Sequence, residues 1–171
     1  MAKGTKQLGR EEIISLIDYD PINGVFRWKV NHPMSSRNGG LAGSIDYQGY
    51  RRIIISGRGY RAHHIAWLIT TGCWPKDQID HINGKKADNR IVNLREATNT
   101  ENNRNKGIRK DNHSGFKGVS KMGKKWKAEL KHGKTRIYLG LYLTPEEAHN
   151  AYAKKAIELR GEFARTRGFD G

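Results

Sequence analysis

The chain has 171 residues, enough for one ordinary domain or two small ones, and its 36% hydrophobic content favours small sub-domains over one large core. A formal net charge of +15 points to a polyanionic partner. No run approaches the roughly 18 apolar residues of a membrane span, "MAKGTKQLGREEI" lacks the apolar stretch of a signal peptide, and the single cysteine, Cys73, excludes an internal disulfide or a multi-cysteine zinc site. A reducing cytoplasm is therefore expected.

In chain order, "REEIISLIDYD" predicts a short helix with Ile13, Ile14, Leu16 and Ile17 as its apolar stripe. "DPINGVFRWK" predicts a turn into a strand, and "AGSID" and "GYRRIIIS" predict further strands. The turn at Gly57-Arg58-Gly59 folds the last of these onto "YRAHH". "HHIAWLITTG" predicts a helix stopped by Gly72, with Pro75 beyond. Strands are expected at 79–82 and 91–94 around a turn at Asn83-Gly84, then a helix from "TNTENNRN" with Thr98 as N-cap and Glu101 closing a capping box. Residues 105–113 read as a basic linker. Three strands follow near 116–121, 125–132 and 135–141, then a helix capped by Thr144 with Pro145 at its first position.

The segment "IDHINGKKADNRIVNLREATNTEN" carries the first set of reactive groups. Asp80 and Asn102 offer oxygen donors suited to a hard dication such as Mg²⁺ or Mn²⁺. A neutral imidazole at His81 suits a general base acting on water, and Asn93 could hold either that ring or the loop. Neighbours on an extended strand face opposite ways, so Asp80 and His81 need a twist to serve one site. Asn and Asp are also common turn residues, and a solvated loop is the competing explanation.

At these residues the chain closely resembles the HNH nucleases, in the His-Asn-Asn variant of phage and intron-encoded homing endonucleases. "DHINGKKADNRIVNLREATNTEN" follows the pattern D-H-I-[DN]-G…NR…NL…T…EN, and the likeness extends upstream through "YDPINGVFRWK", "GYRRIIISGRGYRAHHIAW" and "TGCWP". The resemblance implies that His81 is the general base, that Asp80 and Asn102 are the protein ligands of one metal ion, and that Asn93 orients the histidine. Asn102 departs from members with His there, which favours Mg²⁺ or Mn²⁺ over zinc. One of His63 and His64 either contacts DNA or supports the site; the competing reading is two helix-start histidines satisfied by their neighbours. Arg51, Arg52, Arg58 and Arg61 suit backbone phosphates, though solvated strand edges also explain them.

The second set lies in "GKKWKAELKHGKTRIYLG". Residues 117–136 hold eight Lys and Arg against one acid. Lys125, Lys127, Glu129 and Lys131 alternate with Trp126, Ala128 and Leu130, giving one cationic face and one apolar face; Arg136 and Tyr138 oppose Ile137 and Leu139 in the same way. Trp126 is expected in the core, and the apolar face is expected to pack on the 144–160 helix. "SGFKGVSKMGKKWKAELK" with "RIYLGLYLTPEEAHNAYAKKAIELRGEFA" resembles the Apetala-two / ethylene-response-factor DNA-binding domain. That resemblance implies a three-stranded sheet in the major groove, with Lys117, Ser120, Glu129, Lys131, Arg136 and Tyr138 at its contact positions. Many of these are Arg or Trp in the plant proteins, so the plant target sequence does not transfer.

The expected fold is α+β: a ββα-metal nuclease core with N-terminal strands and helix, plus a three-stranded antiparallel sheet on one helix. The expected domains are 1–104, a basic linker at 105–113, and 114–171. The expected function is a site-directed, metal-dependent DNA endonuclease, a homing enzyme of a phage or other mobile element. It would hold one Mg²⁺ or Mn²⁺ per chain, act on double-stranded DNA, and nick as a monomer, with a dimer as the alternative. Arg104, Lys106, Arg109 and Lys110 would follow the backbone between two contact zones. Two other classes fit the charge: a catalytically inactive DNA-binding regulator, and an RNA-binding or RNA-cleaving protein.

Overall fold

The computed structural model describes residues 7–105, 108, 111–164 and 166. Its backbone divides into two compact units, residues 1–98 and 99–171. The division falls at Thr98/Asn99, ahead of the expected end of the first domain at 104.

In the first unit, helix α1 (Arg10–Leu16) starts where the Glu12 carboxylate accepts the Gly9 N–H at 2.6 Å. It ends sooner than its apolar stripe suggests. Ile17 opens strand β1 (Ile17–Asp20) instead, paired antiparallel to β2 (Val25–Trp28) in the register Ile17↔Trp28 and Tyr19↔Phe26. The turn between them is set by Asp20, whose Oδ1 accepts the N–H groups of Ile22 and Asn23 at 2.9 and 3.1 Å.

Strands β3 (Ser44–Ile45), β4 (Arg51–Ile55) and β5 (Arg58–Arg61) form an antiparallel sheet with β4 central. Ile53 and Ile55 point into the core while Arg52 and Ile54 point out, the period-two pattern of a half-buried strand. Helix α2 (Ala62–Thr71) follows β5 directly and stops at Gly72, whose left-handed backbone (φ 84°) lets its N–H close on the Leu68 carbonyl. Ile13, Ile17, Phe26, Trp28, Ile53, Ile55, Ile65, Leu68, Ile79 and Leu94 make one continuous core. Burial of this apolar surface is the main force holding the elements together.

Strand β6 (Gln78–His81) pairs antiparallel with β7 (Leu94–Ala97), setting Asp80 opposite Arg95 and His81 opposite Leu94. The second strand was expected at 91–94. Residues Ile91–Asn93 form a 3-10 turn instead, closed by Asn93 N–H to the Arg90 carbonyl at 2.9 Å, so the strand starts three residues later. This leaves Asn93 in the loop, where its amide is free of the ladder.

The second unit opens with helix α3 (Asn99–Asn105). The segment 116–118, expected as strand, is not one. Ser114 Oγ sits against the Phe116 and Val119 carbonyls at 3.0 and 2.9 Å, and Asn112 Nδ2 donates to the Phe116 carbonyl at 3.0 Å. These side-chain bonds satisfy the backbone in a turn, so strand β8 starts at Val119 (Val119–Met122).

Strands β9 (Lys125–His132) and β10 (Thr135–Tyr142) complete an antiparallel sheet with β9 in the middle. A bulge between Tyr138 and Gly140 inserts Leu139 and reverses the alternation beyond it, so Leu141 is exposed while Tyr142 packs against the core. Helix α4 (Pro145–Arg160) lies on the apolar face of this sheet. Thr144 Oγ1 accepts the Glu147 N–H at 3.2 Å, and the Glu147 carboxylate accepts the Thr144 N–H at 3.3 Å, a reciprocal cap. Ala148, Tyr152 and Ala156 meet Val119, Ala128 and Leu130. Trp126 is only half-buried at the edge of this core, a correction to its expected burial, with the Lys121 ammonium 5.9 Å from its ring. No described helix is long and apolar enough to cross a membrane.

Candidate active site

The first unit concentrates its buried polar side chains around β6. Asp80, His81, His63, Asn89 and Asn93 are each 5% exposed or less. So many buried polar groups in so small a unit are costly unless hydrogen-bonded, and their bonding shows what each one does.

Asp80 and His81 face different neighbours, as adjacent strand residues must. The Asp80 Oδ2 atom accepts both Nε and Nη2 of Arg95, at 3.0 and 2.8 Å, in an ion pair whose side chains are 5% and 11% exposed. The His81 ring lies instead against α2. It meets the His63 ring edge-on at 4.9 Å between centroids and the Tyr50 ring at 5.9 Å. His63 is in turn packed on His64 and Tyr50, at 4.6 and 5.3 Å.

Burial pushes the His63 imidazole down to about 2, with His64, His81 and Arg61 adding to the effect. This histidine is neutral at any working pH. Burial also holds His81 below the ordinary histidine value, reinforced by Lys86 and opposed by the Asn89 amide and by the Asp80 and Asp88 carboxylates. A His81 kept neutral near pH 7 has a lone pair available to take a proton.

The loop from 82 to 93 is tied down at many points. Asn93 bonds it from inside: its Oδ1 accepts the Asn83 N–H at 3.0 Å and its Nδ2 donates to the Asp88 carbonyl at 2.8 Å. Asp88 accepts Asn83 Nδ2 at 2.7 Å and pairs with Arg90, which holds its carboxyl down to about 2. Lys86 reaches the Gln48 carbonyl at 2.9 Å and lies 5.0 Å from the Tyr50 ring.

The β1–β2 turn braces the same loop from outside. Tyr19 O–H donates to the Asn89 carbonyl at 2.7 Å, and Ile91 N–H to the Pro21 carbonyl at 3.1 Å. Gly24 (φ 68°) comes so close that a Cβ there would lie 2.5 Å from the Arg90 nitrogen. Glycine is needed both for its backbone angle and for this approach.

The arginines expected at DNA have protein partners in this unit. Arg61 pairs with Asp46, donates to Gln48 Oε1 at 2.5 Å, and stacks 4.4 Å over Tyr50. Arg51 donates to the Ala42 and Gly43 carbonyls at 3.2 and 2.9 Å. Arg52 is exposed and lies across Gly59, while Arg58 is half-exposed.

In the second unit, strand register puts Ser120, Lys125, Lys127, Glu129, Lys131, Arg136 and Tyr138 on one face. Glu129 sits at its centre, paired at 3.2 Å with both Lys127 and Arg136, while Lys125, Lys131 and Tyr138 are open to solvent. Lys117 is half-buried ahead of β8. Asn102 lies on α3. The side chain of Arg104, together with Lys106, Arg109 and Lys110, lies outside the described residues.

Two polar residues of this region were not singled out in the sequence, the buried Asn89 and the half-buried Arg95. Asn89 and Arg95 look there like an ordinary turn residue and an ordinary surface cation. The pairing of β6 with β7 sets Arg95 opposite Asp80, and the seat under Gly24 buries Asn89 in the 82–93 loop.

Among the described residues, no group of three or more His, Cys, Asp and Glu side chains is placed to hold a metal ion. Donor chemistry is the remaining test. An aspartate carboxylate is a hard oxygen donor of the kind Mg²⁺ or Mn²⁺ takes, and the Oδ2 atom of Asp80 is here engaged by Arg95.

Comparison with known proteins gives a consistent picture. Residues 60–104 match the HNH endonuclease family, a span that includes α2, β6, the 82–93 loop and β7. The chain is also 34% identical over 108 residues to Protein 3.8 of Escherichia phage T7, covering 63% of this chain and 81% of that protein. No solved structure matches.

Proposed function

From a chain that belongs to the HNH endonuclease family, we propose a metal-dependent endonuclease that cuts duplex DNA, of the homing type found in phages and mobile elements. The observation that carries this reading is the buried, neutral-leaning His81 beside a cation-paired Asp80. His81 takes the proton of a water whose oxygen attacks phosphorus. The new P–O bond forms as the bond to the 3′ oxygen breaks, leaving 5′-phosphate and 3′-hydroxyl ends. A bound Mg²⁺ or Mn²⁺ supplies charge neutralisation at the phosphate and the departing oxygen. Asp80, with Asn102 by family resemblance, would hold that ion, and Asn93 fixes the loop around the base.

The second unit supplies placement on the substrate. Its open cations Lys125 and Lys131 and the exposed Tyr138 share one sheet face backed by α4, the arrangement expected of an Apetala-two-like module lying in a major groove. One catalytic centre per chain predicts a nicking monomer.

The test is cleavage of supercoiled and linear duplex DNA with Mg²⁺ or with EDTA, by wild type and His81→Ala, alongside calorimetric titration of Mg²⁺ or Mn²⁺ into wild type and Asp80→Ala. The reading holds if wild type converts supercoiled to open-circular DNA only with metal, while His81→Ala binds but does not cut. Tight binding without cleavage in either metal overturns it in favour of a regulator. Preference for RNA over duplex DNA in competition overturns the substrate.

A further inference from the structure

We propose that the cleft between β5, the start of α2 and Trp74 binds one sugar–phosphate unit of a DNA strand, with Arg58 and His64 donating to the phosphate and the Trp74 indole packing on the sugar. This rests on the reading of DNA as the substrate and gives it a seat in the first unit.

The cleft has a volume of about 390 Å³, within the range of sites that hold a small ligand. Arg58, Arg61 and His64 line it beside Gly59, Tyr60 and Trp74, and none of its described lining residues is acidic. A wall with cations and no carboxylate attracts an anion. Arg61 already pairs with Asp46 and donates to Gln48, so its charge is partly met inside the fold. Arg58 and His64, both partly exposed, are left to face a ligand. Arg52 adds a guanidinium at the margin. It lies across Gly59, where a Cβ would come within 2.1 Å of its Nε, so only glycine lets it rest there.

The aromatic wall is set before any ligand arrives. Trp74 stacks on Tyr60 at 5.7 Å between centroids, and its Nε1 donates to the Leu8 carbonyl at 3.0 Å. A ring held in advance loses little freedom on binding. Tyr60 is 9% exposed, and its hydroxyl is buried without a hydrogen-bond partner among the described residues. Buried hydroxyls are rarely left so, and this one belongs to the cleft wall.

His64 also ties the cleft to the catalytic strand. Its ring meets His63 edge-on at 4.6 Å, and His63 meets His81 at 4.9 Å. The three rings together cover no more than about three steps of a strand that rises about 3.4 Å per nucleotide. The phosphate in the cleft is therefore close along the strand to the one presented to His81. Burial, and then Arg61 and His81, hold His64 below the ordinary histidine value, so near pH 7 it offers a neutral N–H.

The test uses the full chain labelled with 5-fluorotryptophan and a short mixed-sequence DNA duplex in EDTA, so that binding is read without cutting. The ¹⁹F signal of Trp74, assigned by its loss in Trp74→Phe, should shift and saturate as duplex is added. Arg58→Gln should lower duplex affinity about 5–10-fold and reduce the slope of log affinity against log salt by about 1. His64→Phe should weaken binding with the slope unchanged, and His64→Gln, which keeps a donor, should retain most of the affinity. An unmoved Trp74 signal in a chain saturated with duplex overturns the proposal. So does an equal shift with inorganic phosphate alone, which would make the cleft a simple anion site. If Trp74 responds as expected in a chain that does not cut DNA with Mg²⁺, the cleft stands and the nuclease reading fails. Absence of any duplex binding overturns both.

Discussion

Lowering the pH from 7 to 4.5 should destabilise the first unit through His63. Its imidazole is 5% exposed and titrates at about 2 in the folded chain, against about 6.5 for an ordinary histidine. The folded value is the depressed one, so the stability is present above pH 6.5 and is lost as pH falls and the unfolded chain alone takes up the proton. By pH 4.5 the loss from this residue is about 2.5 kcal/mol. The figure hardly depends on whether the folded value is 2 or 3, because pH 4.5 lies well above both. The assay is urea unfolding at the two pH values, for wild type and for His63→Phe, which keeps a ring and removes the titration. Trp28, Trp67 and Trp74 report the first unit by fluorescence, and a Trp126→Phe background removes the signal of the second. Wild type should lose about 2.5 kcal/mol more than His63→Phe. Equal losses would show that His63 is solvated and that its packing on His81 is wrong.

Gly24→Ala should destabilise the first unit by at least about 1–2 kcal/mol, the cost of a left-handed backbone for alanine, since its Cβ also meets Arg90; thermal unfolding should show a lowered Tm. Arg95→Met leaves Asp80 buried without its guanidinium and should cost about 3–5 kcal/mol in denaturant unfolding. Lys131→Ala should weaken DNA binding by a similar factor on every sequence and reduce the slope of log affinity against log salt by about 1 if the lysine meets phosphate. A changed preference among sites would instead assign it to base reading.

The sequence pointed to the candidate residues more readily than to their surroundings. Asp80, His81 and Asn93 stand in a dense motif, and hydrophobic alternation was enough to orient β9, where Ala128 and Leu130 are buried and Lys125 and Lys131 exposed. The burial of Asn89 was not legible, because it depends on a tyrosine and a glycine some 65–70 residues upstream that no local pattern links to it. The late start of β7 and the turn at 114–118 follow from side-chain bonds made by Asn93, Asn112 and Ser114, which compete with the strand ladder and leave no mark on hydropathy. His63 could be noticed as one of two adjacent histidines, but only packing separates the buried ring from its neighbour. The bulge at Leu139 likewise depends on Gly140, read in the sequence as one glycine among many.

The brace between the N-terminal hairpin and the catalytic loop also sets an order of assembly during synthesis. Leu8 with Trp74, Arg10 with Ile69 and Tyr19 with Asn89 are joined across 66, 59 and 70 residues. Closing such long loops comes late and slowly in folding, and a ribosome adds only about 5–20 residues per second. A nascent chain that has not yet exposed Asn89 therefore has a hairpin without the loop it packs on. The first unit therefore folds as a whole, only after its last strand, β7, has left the ribosome.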